Sequence, residues 1–394
     1  MNMENFFSPC PRGLEVVLAD ELRDLGGVDI VQTGGGVGFR GPLALCYRIN
    51  LESRIASRVL WRVTHASYRS EEDIYRAARA LPWGDWFEAR RSILVEINAR
   101  HCPLKSLDFV TLRIKDAICD HFRDATGIRP DVDKRSPDIR VYGFLTADQF
   151  TLYVDTSGEP LFKRGYRDAR VDAPLKENLA AGIIRLTGWK TAEPFYDPMC
   201  GSGTLVIEAA LMARNIAPGG KRKFAFSKLL NFSESEWRRC GERAEAAELP
   251  AEPLQIFGSD KYGDVLKTAR TNLTQAGLQD AVQLKQVDAL EMPAPASNGV
   301  MVTNPPYGVR IGEEEDLTAF YPRLGDALKQ RFAGWRAYIF SGDPQLLKLI
   351  RLSASKRTPL FNGALECRLY EYKIQAGSMR KSATSIEPQA QDKN

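Results

Sequence analysis

From Pro194 onward the chain repeats one pattern. PFYD, LQIFGSD, VQLKQVD, GVMVTN and RAYIFSG are apolar runs that each end at a polar residue or glycine, with helical stretches between them. Short apolar runs alternating with helices bury both faces of a sheet, the pattern of parallel strands in a doubly wound α/β fold. Such sheets bind ligands at the carboxyl ends of their strands. Asp197, Asp260, Asp288 and Asn304 close four successive runs and therefore become candidate site residues together.

The first run leads into Asp197-Pro198-Met199-Cys200-Gly201-Ser202-Gly203-Thr204 and then the helical LVIEAALMARN. Glycines in a strand-to-helix turn let the backbone approach a ligand closely at a helix N-terminus. The turn has neither a full GxGxxG nor the GK[ST] of a P-loop, so it suits an amino-acid moiety better than a diphosphate. A plain tight turn is the structural alternative. Asp260 stands where an acid accepts hydrogen bonds from both ribose hydroxyls of a nucleoside, and Asp288 where one accepts from an adenine amine. A strand-end Asp also caps helices; in series after a glycine turn, these acids describe an adenosine pocket. The stretch from that turn to Asp260 far exceeds the roughly 20 residues of dinucleotide folds, which argues against NAD.

Asn304-Pro305-Pro306-Tyr307 closes the fourth run and is the most specific signal in the chain. An aromatic amine is a poor nucleophile because its lone pair is delocalised into the ring. Acceptors from the Asn304 carboxamide and the Pro305 carbonyl would hold such an NH2 near tetrahedral geometry with the lone pair free. Tyr307 would stack on a flipped base, and the prolines would keep the turn rigid. A Pro-rich strand stop is the alternative, and it does not explain the neighbouring glycine turn. No cysteine follows the prolines, so covalent carbon-5 methylation of a pyrimidine has no obvious nucleophile.

The N-terminal half reads differently. Arg12 to Leu25 places Leu14, Val17, Leu18, Leu22 and Leu25 on one helical face, with Gly26-Gly27 as a stop. VDIVQ and VGFRG read as strands of a hairpin around Thr33-Gly34-Gly35-Gly36. Gly36 to Gly41 spells GxGxxG but leads into no helix, so it is assigned no cofactor. The strand SRVLWRVTHA, the helix EEDIYRAARAL, the strand SILVEINAR, the helix DFVTLRIKDAICDHFRDATG and the hairpin DIRVYGFLTADQFTLYVDTSG form a second α+β unit ending near Gly158.

Composition narrows the class of protein. The 394 residues, 44% hydrophobic, suffice for several cores. The N-terminus is not that of a signal peptide, and no apolar run nears the roughly 18 to 20 residues of a membrane span, so a cytoplasmic protein is expected. The seven cysteines form no CxxC pair, so neither a disulfide framework nor a zinc ribbon is expected. His101-Cys102 with Cys119-His121 suits core and surface roles better than zinc, and no metal is expected. A formal charge of +4 does not by itself mark a nucleic-acid binder. Any RNA contact must come from local patches. Two candidates combine cations with aromatics: Lys163, Arg164, Tyr166 and Arg167 before the C-terminal unit, and Lys221, Arg222 and Lys223 beside Phe224 and Phe226. A solvated basic linker reads the same way.

The order Pro174-Leu175-Lys176-Glu177-Asn178-Leu179-Ala180, then DPMCGSGT, GSD, VD and NPPYG, resembles the THUMP-domain methyltransferases, in particular the bacterial 23S rRNA guanine-N2 branch. The resemblance runs from about Pro11 to about Lys373. It implies an α/β, Rossmann-like class I methyltransferase domain over 159–377. A ferredoxin-like α+β domain (1–65) and a THUMP RNA-binding domain (66–158) would precede it, and a disordered tail (378–394) would follow. It further implies S-adenosyl-L-methionine as cofactor, held by Asp197, Met199, Cys200, Gly201, Gly203, Thr204, Asp260, Asp288 and Asn304. Lys176, Glu177 and Asn178 would pack over its methionine end. Asn304, Pro305, Pro306 and Tyr307 would be the catalytic set, and 23S rRNA or a large-subunit precursor the partner. Enterobacterial relatives carry a second methyltransferase fused after this one; here that role is expected to fall to a separate methyltransferase partner. DNA adenine-N6 methylation and a non-catalytic RNA-binding module are the competing readings, since the tetrapeptide serves the first and a relic pocket would fit the second.

Overall fold

A computed structural model describes residues 3–167, 175–250, 252–306 and 317–375. The expected tail lies outside them, as do Tyr307 and the 168–174 segment. In the N-terminal half the elements are β1 (Glu4–Pro9), α1 (Glu15–Asp24), β2 (Val28–Thr33), β3 (Gly36–Gly41), α2 (Leu45–Glu52), β4 (Leu60–Ser67), α3 (Glu71–Arg79), α4 (Trp83–Trp86), β5 (Ile93–Ala99), α5 (Leu107–Thr126), β6 (Ile139–Leu145) and β7 (Gln149–Asp155). They form one seven-stranded sheet in the order β2-β3-β1-β4-β7-β6-β5.

Local chemistry sets the helix ends. Ser70 and Asp73 form a reciprocal capping box at the start of α3, and Ser106 caps α5. The expected amphipathic face of α1 is buried through Leu14, Leu18 and Leu22, against β2 and β3. The β2–β3 pair is antiparallel, so the GxGxxG string is one arm of a hairpin. Three elements that the sequence pattern did not reveal, β1, α2 and the short α4, complete this half. β4 pairs antiparallel with β1 on one side and with β7 on the other. The boundary drawn at 65/66 therefore falls inside a strand, because both α+β units use its backbone groups and share one sheet.

The C-terminal half contains α6 (Glu177–Leu186), β8 (Phe195–Asp197), α7 (Thr204–Ala213), α8 (Glu234–Ala246), β9 (Ile256–Asp260), α9 (Gly263–Ala276), β10 (Gln283–Gln286), β11 (Gly299–Thr303), α10 (Leu317–Arg331), β12 (Trp335–Ser341), α11 (Pro344–Lys348), β13 (Lys356–Asn362) and β14 (Leu365–Lys373). The sheet order is β10-β9-β8-β11-β12-β14-β13. The five strands read from the sequence are parallel. The hairpin β13–β14 was not foreseen, and it closes the sheet antiparallel to β12. The chain builds outward from β8 to β10 and then returns to β11 on the other side of β8. The switch point thus lies between the ends of β8 and β11, where Asp197 and Asn304 stand.

The two halves meet at residues 53–57. The buried Glu21 carboxylate accepts from Ser53 Oγ, from the amides of Arg54 and Ile55, and pairs with Arg185 of α6 at 3.4 Å. Arg54 in turn donates to the carbonyls of Leu211 and Ile216. A buried charge needs such partners to offset its desolvation.

Candidate active site

β8 ends by placing a carboxylate in the interior: Asp197 is only 2% exposed. Its Oδ1 accepts the Met199 amide at 3.1 Å, which turns the chain into the glycine segment. Burial pushes this carboxyl up to about 7; the Asp260 charge adds to the rise and the Met199 amide opposes it.

The glycine turn is tied to the neighbouring strand. The Cys200 amide donates to the Ser259 carbonyl at 2.8 Å. The Gly201 amide donates to Asp260 Oδ2 at 3.0 Å, and the Tyr262 amide to Asp260 Oδ1 at 3.1 Å. Asp260, at the end of β9, therefore both shapes the turn and keeps lone pairs for further donors. Gly201 and Gly203 adopt φ of 53° and 87°, in the left-handed region that penalises a side chain. A Cβ on Gly203 would also stand 3.3 Å from that of Ala269 on α9, whereas one on Gly201 would meet open space. The Cys200 thiol is buried, and desolvation with the charges of Asp197 and Asp260 raises its pKa, so it is no nucleophile.

Thr204 opens α7, and its hydroxyl accepts from Arg167. Arg167 also pairs with Glu177 at 3.4 Å, in the first turn of α6. Burial raises the Glu177 carboxyl and Arg167 lowers it. This chain of contacts brings the Lys176-Glu177-Asn178 segment to the glycine turn. Within it the three side chains diverge. Lys176 is exposed over the Phe162 ring at 4.8 Å. Asn178 is buried, its Nδ2 donating to the Ile55 carbonyl and Ser57 Oγ at the joint between the halves.

Asp288, past the end of β10, accepts the Leu290 amide on Oδ1 at 2.8 Å. On the other side of β8, Asn304 follows β11. Its Oδ1 is buried and has no hydrogen-bond partner among the described residues. Pro305 is buried, and the Pro306 carbonyl accepts from the Tyr321 hydroxyl of α10 at 3.1 Å. Tyr321 carries no motif that would single it out in the sequence; only the return of α10 across the strand ends brings it to this turn.

Two expected RNA contacts are corrected. Arg164, 4% exposed, pairs with Glu208 of α7 at 3.4 Å and donates to the carbonyls of Leu161 and Arg54. Tyr166 is equally buried and donates to Glu208 at 3.3 Å. Both are interior groups, because a basic-aromatic string has the same composition in a linker as around a buried carboxylate. Arg222 spends its donors on the carbonyls of Glu159, Pro160 and Lys163, and Arg167 belongs to the glycine turn. Lys163, Lys221 and Lys223 are exposed.

Among the described residues no group of three or more His, Cys, Asp or Glu side chains is arranged to hold a metal. No helix among them is long and apolar enough to cross a membrane. The residues at the strand ends fit a nucleoside with an amino-acid arm: open space at Gly201, acceptors at Asp260 and Asp288, and a buried unpartnered acceptor at Asn304. Fold and site together define a Rossmann-like methyltransferase that uses S-adenosylmethionine.

Known proteins bear this out. A family model described as RMKL-like, methyltransferase domain, matches residues 164–371, a THUMP domain model matches 68–155, and an RlmL ferredoxin-like domain model matches 5–60. The ribosomal RNA large subunit methyltransferase K/L of Aeromonas hydrophila is 38% identical over 427 residues, covering 100% of this chain and 59% of that protein. The Synechocystis sp. protein slr0064, named for RNA methyltransferase activity, is 38% identical over 94% of this chain and 96% of its own length. The crystal structure of SMU.472 in complex with SAH superposes with a TM-score of 0.87 at 31% identity, covering 96% of this chain and 100% of that one. The chain belongs to the RlmL-like family of THUMP-domain methyltransferases.

Proposed function

We propose that this protein transfers a methyl group to the exocyclic N2 amine of a guanine in 23S rRNA. The observation that carries the amine is Asn304 Oδ1, a buried acceptor left without a partner among the described residues at the switch point of the sheet. A buried acceptor of this kind costs about 1–3 kcal/mol unless something donates to it, and an amine N–H is such a donor. S-adenosylmethionine supplies the methyl on a sulfonium, a leaving group that needs no acid. The residues therefore have to position rather than activate by proton transfer. Asn304 and the Pro305 carbonyl accept the two N–H bonds and leave the nitrogen lone pair free. Tyr321 fixes the turn through Pro306. Tyr307, outside the described residues, is assigned the stacking role by its place in the motif.

RNA as the polymer, and 23S rRNA in particular, is supported by the THUMP match and by the name of the Aeromonas relative, of which this chain spans 59%. Guanine N2 rests on the resemblance of the motif series. The decisive experiment is mass spectrometry of rRNA from a deletion strain. One methylguanosine should disappear and return with the wild-type gene but not with Asn304→Ala, which should still bind S-adenosylmethionine. Unchanged rRNA in the deletion strain, or full activity in Asn304→Ala, would sink the proposal; methyl incorporation into duplex DNA instead would point to adenine.

A further inference from the structure

A base whose amine is to reach Asn304 has to leave its stack, and that costs unstacking energy. An apolar side chain wedged between base steps offsets the cost by holding the stack open. The β13–β14 hairpin carries such a side chain beside the active site.

Strand register places it. Thr303 pairs with Ile339, so Asn304 is level with Phe340 of β12. β14 passes Phe340 at Leu369 and Ser341 at Arg368, and then runs on with β13 for three more pairs, Leu360–Cys367, Phe361–Glu366 and Asn362–Leu365. The hairpin tip therefore stands about 10 Å beyond the end of β12, on the edge where the site lies and two strands from β11. Its stem is held in place. Leu360 and Cys367 are buried, Arg12 lies over the Phe361 ring at 4.0 Å, and a Cβ on Gly13 would meet the Pro359 carbonyl at 2.5 Å.

The tip itself is the tight turn Asn362-Gly363-Ala364-Leu365, and Leu365 is 48% exposed. Leu365 shares a strand face with Cys367 and Leu369, which join the core that holds Leu14 of the N-terminal half and Leu179 of α6. Its side chain thus points to the side of the sheet on which the N-terminal half packs. Among the described residues two exposed large apolar side chains stand at the carboxyl ends of this sheet. Tyr262 follows Asp260 on one side of β8, and Leu365 lies on the other, the side of Asn304. Cations flank the tip. Arg12 forms no ion pair among the described residues, and the exposed Arg368 has only an exposed partner in Glu366, a pair that contributes little. That charge suits a polyanion at the tip rather than an apolar protein surface. A hairpin that served only to close the sheet would need no apolar side chain past its last buried pair, since such turns are met by polar residues and glycine.

We propose that Leu365 enters the base stack of the RNA as the target base is drawn out to Asn304, and so acts as a positioning residue for methyl transfer. The proposal rests on the reading of the protein as a methyltransferase of an RNA base amine, and names what holds the stack open.

The test uses the full chain, S-adenosylmethionine and two synthetic RNAs. One spans the guanosine whose methylation the deletion strain loses; the other is the same RNA with abasic sites on both sides of that guanosine. The second has no neighbouring bases to unstack from and needs no wedge. Leu365→Ala should lower kcat/KM on the first RNA by about ten- to a hundredfold. On the second it should stay within about twofold of wild type, with S-adenosylmethionine affinity unchanged. Leu365→Met, which keeps an apolar side chain of similar size, should retain most of the activity on both. If Leu365→Ala matches wild type on the first RNA, the tip plays no part in drawing out the base and the proposal is overturned, while the enzymatic reading stands. An equal loss on both RNAs would mark a structural role and overturn it as well. If the wild type transfers no methyl to either RNA, both readings fall.

Discussion

The Asp260 carboxylate accepts the Gly201 amide at 3.0 Å across 59 residues of sequence. One side chain at the end of β9 therefore sets the shape of the glycine turn at the end of β8, and through it the start of α7. Hydrogen bonds from a backbone amide to a charged acceptor contribute about 1.5–3 kcal/mol each. Asp260→Ala should accordingly weaken S-adenosylmethionine binding by about 10- to 100-fold in calorimetry, while the rate at saturating cofactor stays within a few-fold of wild type. A variant that binds normally would remove Asp260 from the cofactor site.

Asp197 makes the apo protein sensitive to pH. Its folded pKa is pushed up to about 7 against an ordinary 3.8, so between those values the folded state holds a proton that the unfolded state has lost. Stability from this group therefore falls as pH rises from about 4 to about 7 and is level above that. Asp197→Asn, which carries no charge to desolvate, should be more stable than wild type at pH 8, by on the order of a few kcal/mol at most, and the difference should shrink toward pH 5. Thermal melts across that range check it; a difference that grows as pH falls contradicts the assignment. The cationic cofactor favours the ionised carboxylate, so its binding should release protons near neutral pH and produce a buffer-dependent binding enthalpy.

The Arg164–Glu208 pair is almost entirely buried, and removing one partner of such a pair strands the other charge. Arg164→Ala should lower stability by about 3–5 kcal/mol in urea unfolding. The salt dependence of RNA binding by the folded fraction should not change, which separates an interior role from a phosphate contact.

Tyr321 holds the Pro306 carbonyl from α10, 15 residues further along the chain. Tyr321→Phe keeps the ring in the core and deletes the donor. Turnover should fall several-fold, up to about a hundredfold if the turn shifts by as much as an ångström, with S-adenosylmethionine affinity retained. An unchanged kcat would show that the prolines alone keep the turn in place.

Much of the fold was legible because its signals are local. The five apolar runs of the parallel sheet, the amphipathic face of α1 and the β2–β3 hairpin each follow from residues within one short window. β1 and α2 escaped because they are short and are held by elements further along the chain, β1 by β3 and β4; the β13–β14 hairpin is local, and its signal is the Asn362-Gly363 turn between its strands. Legibility of the site divides on the same line. Asp197, Gly201, Gly203, Asp260, Asp288 and Asn304 are legible as candidates because they stand at or beside strand ends, where such sheets bind ligands.

The amino-acid sequence by itself determined the periodicities, the glycine turn, the acids at the strand ends and the NPP turn, all encoded within a few residues of one another. Tertiary structure decided which charged groups reach solvent and which are interior. It buried Arg164 and Tyr166 around Glu208, gave Pro306 its partner in Tyr321, and joined two α+β units through β4 into a sheet whose open face carries Arg62, Tyr142 and Tyr153. The physical reason is that burial and pairing depend on what folds against a residue, and those partners lie tens to hundreds of positions away, beyond the reach of any local pattern.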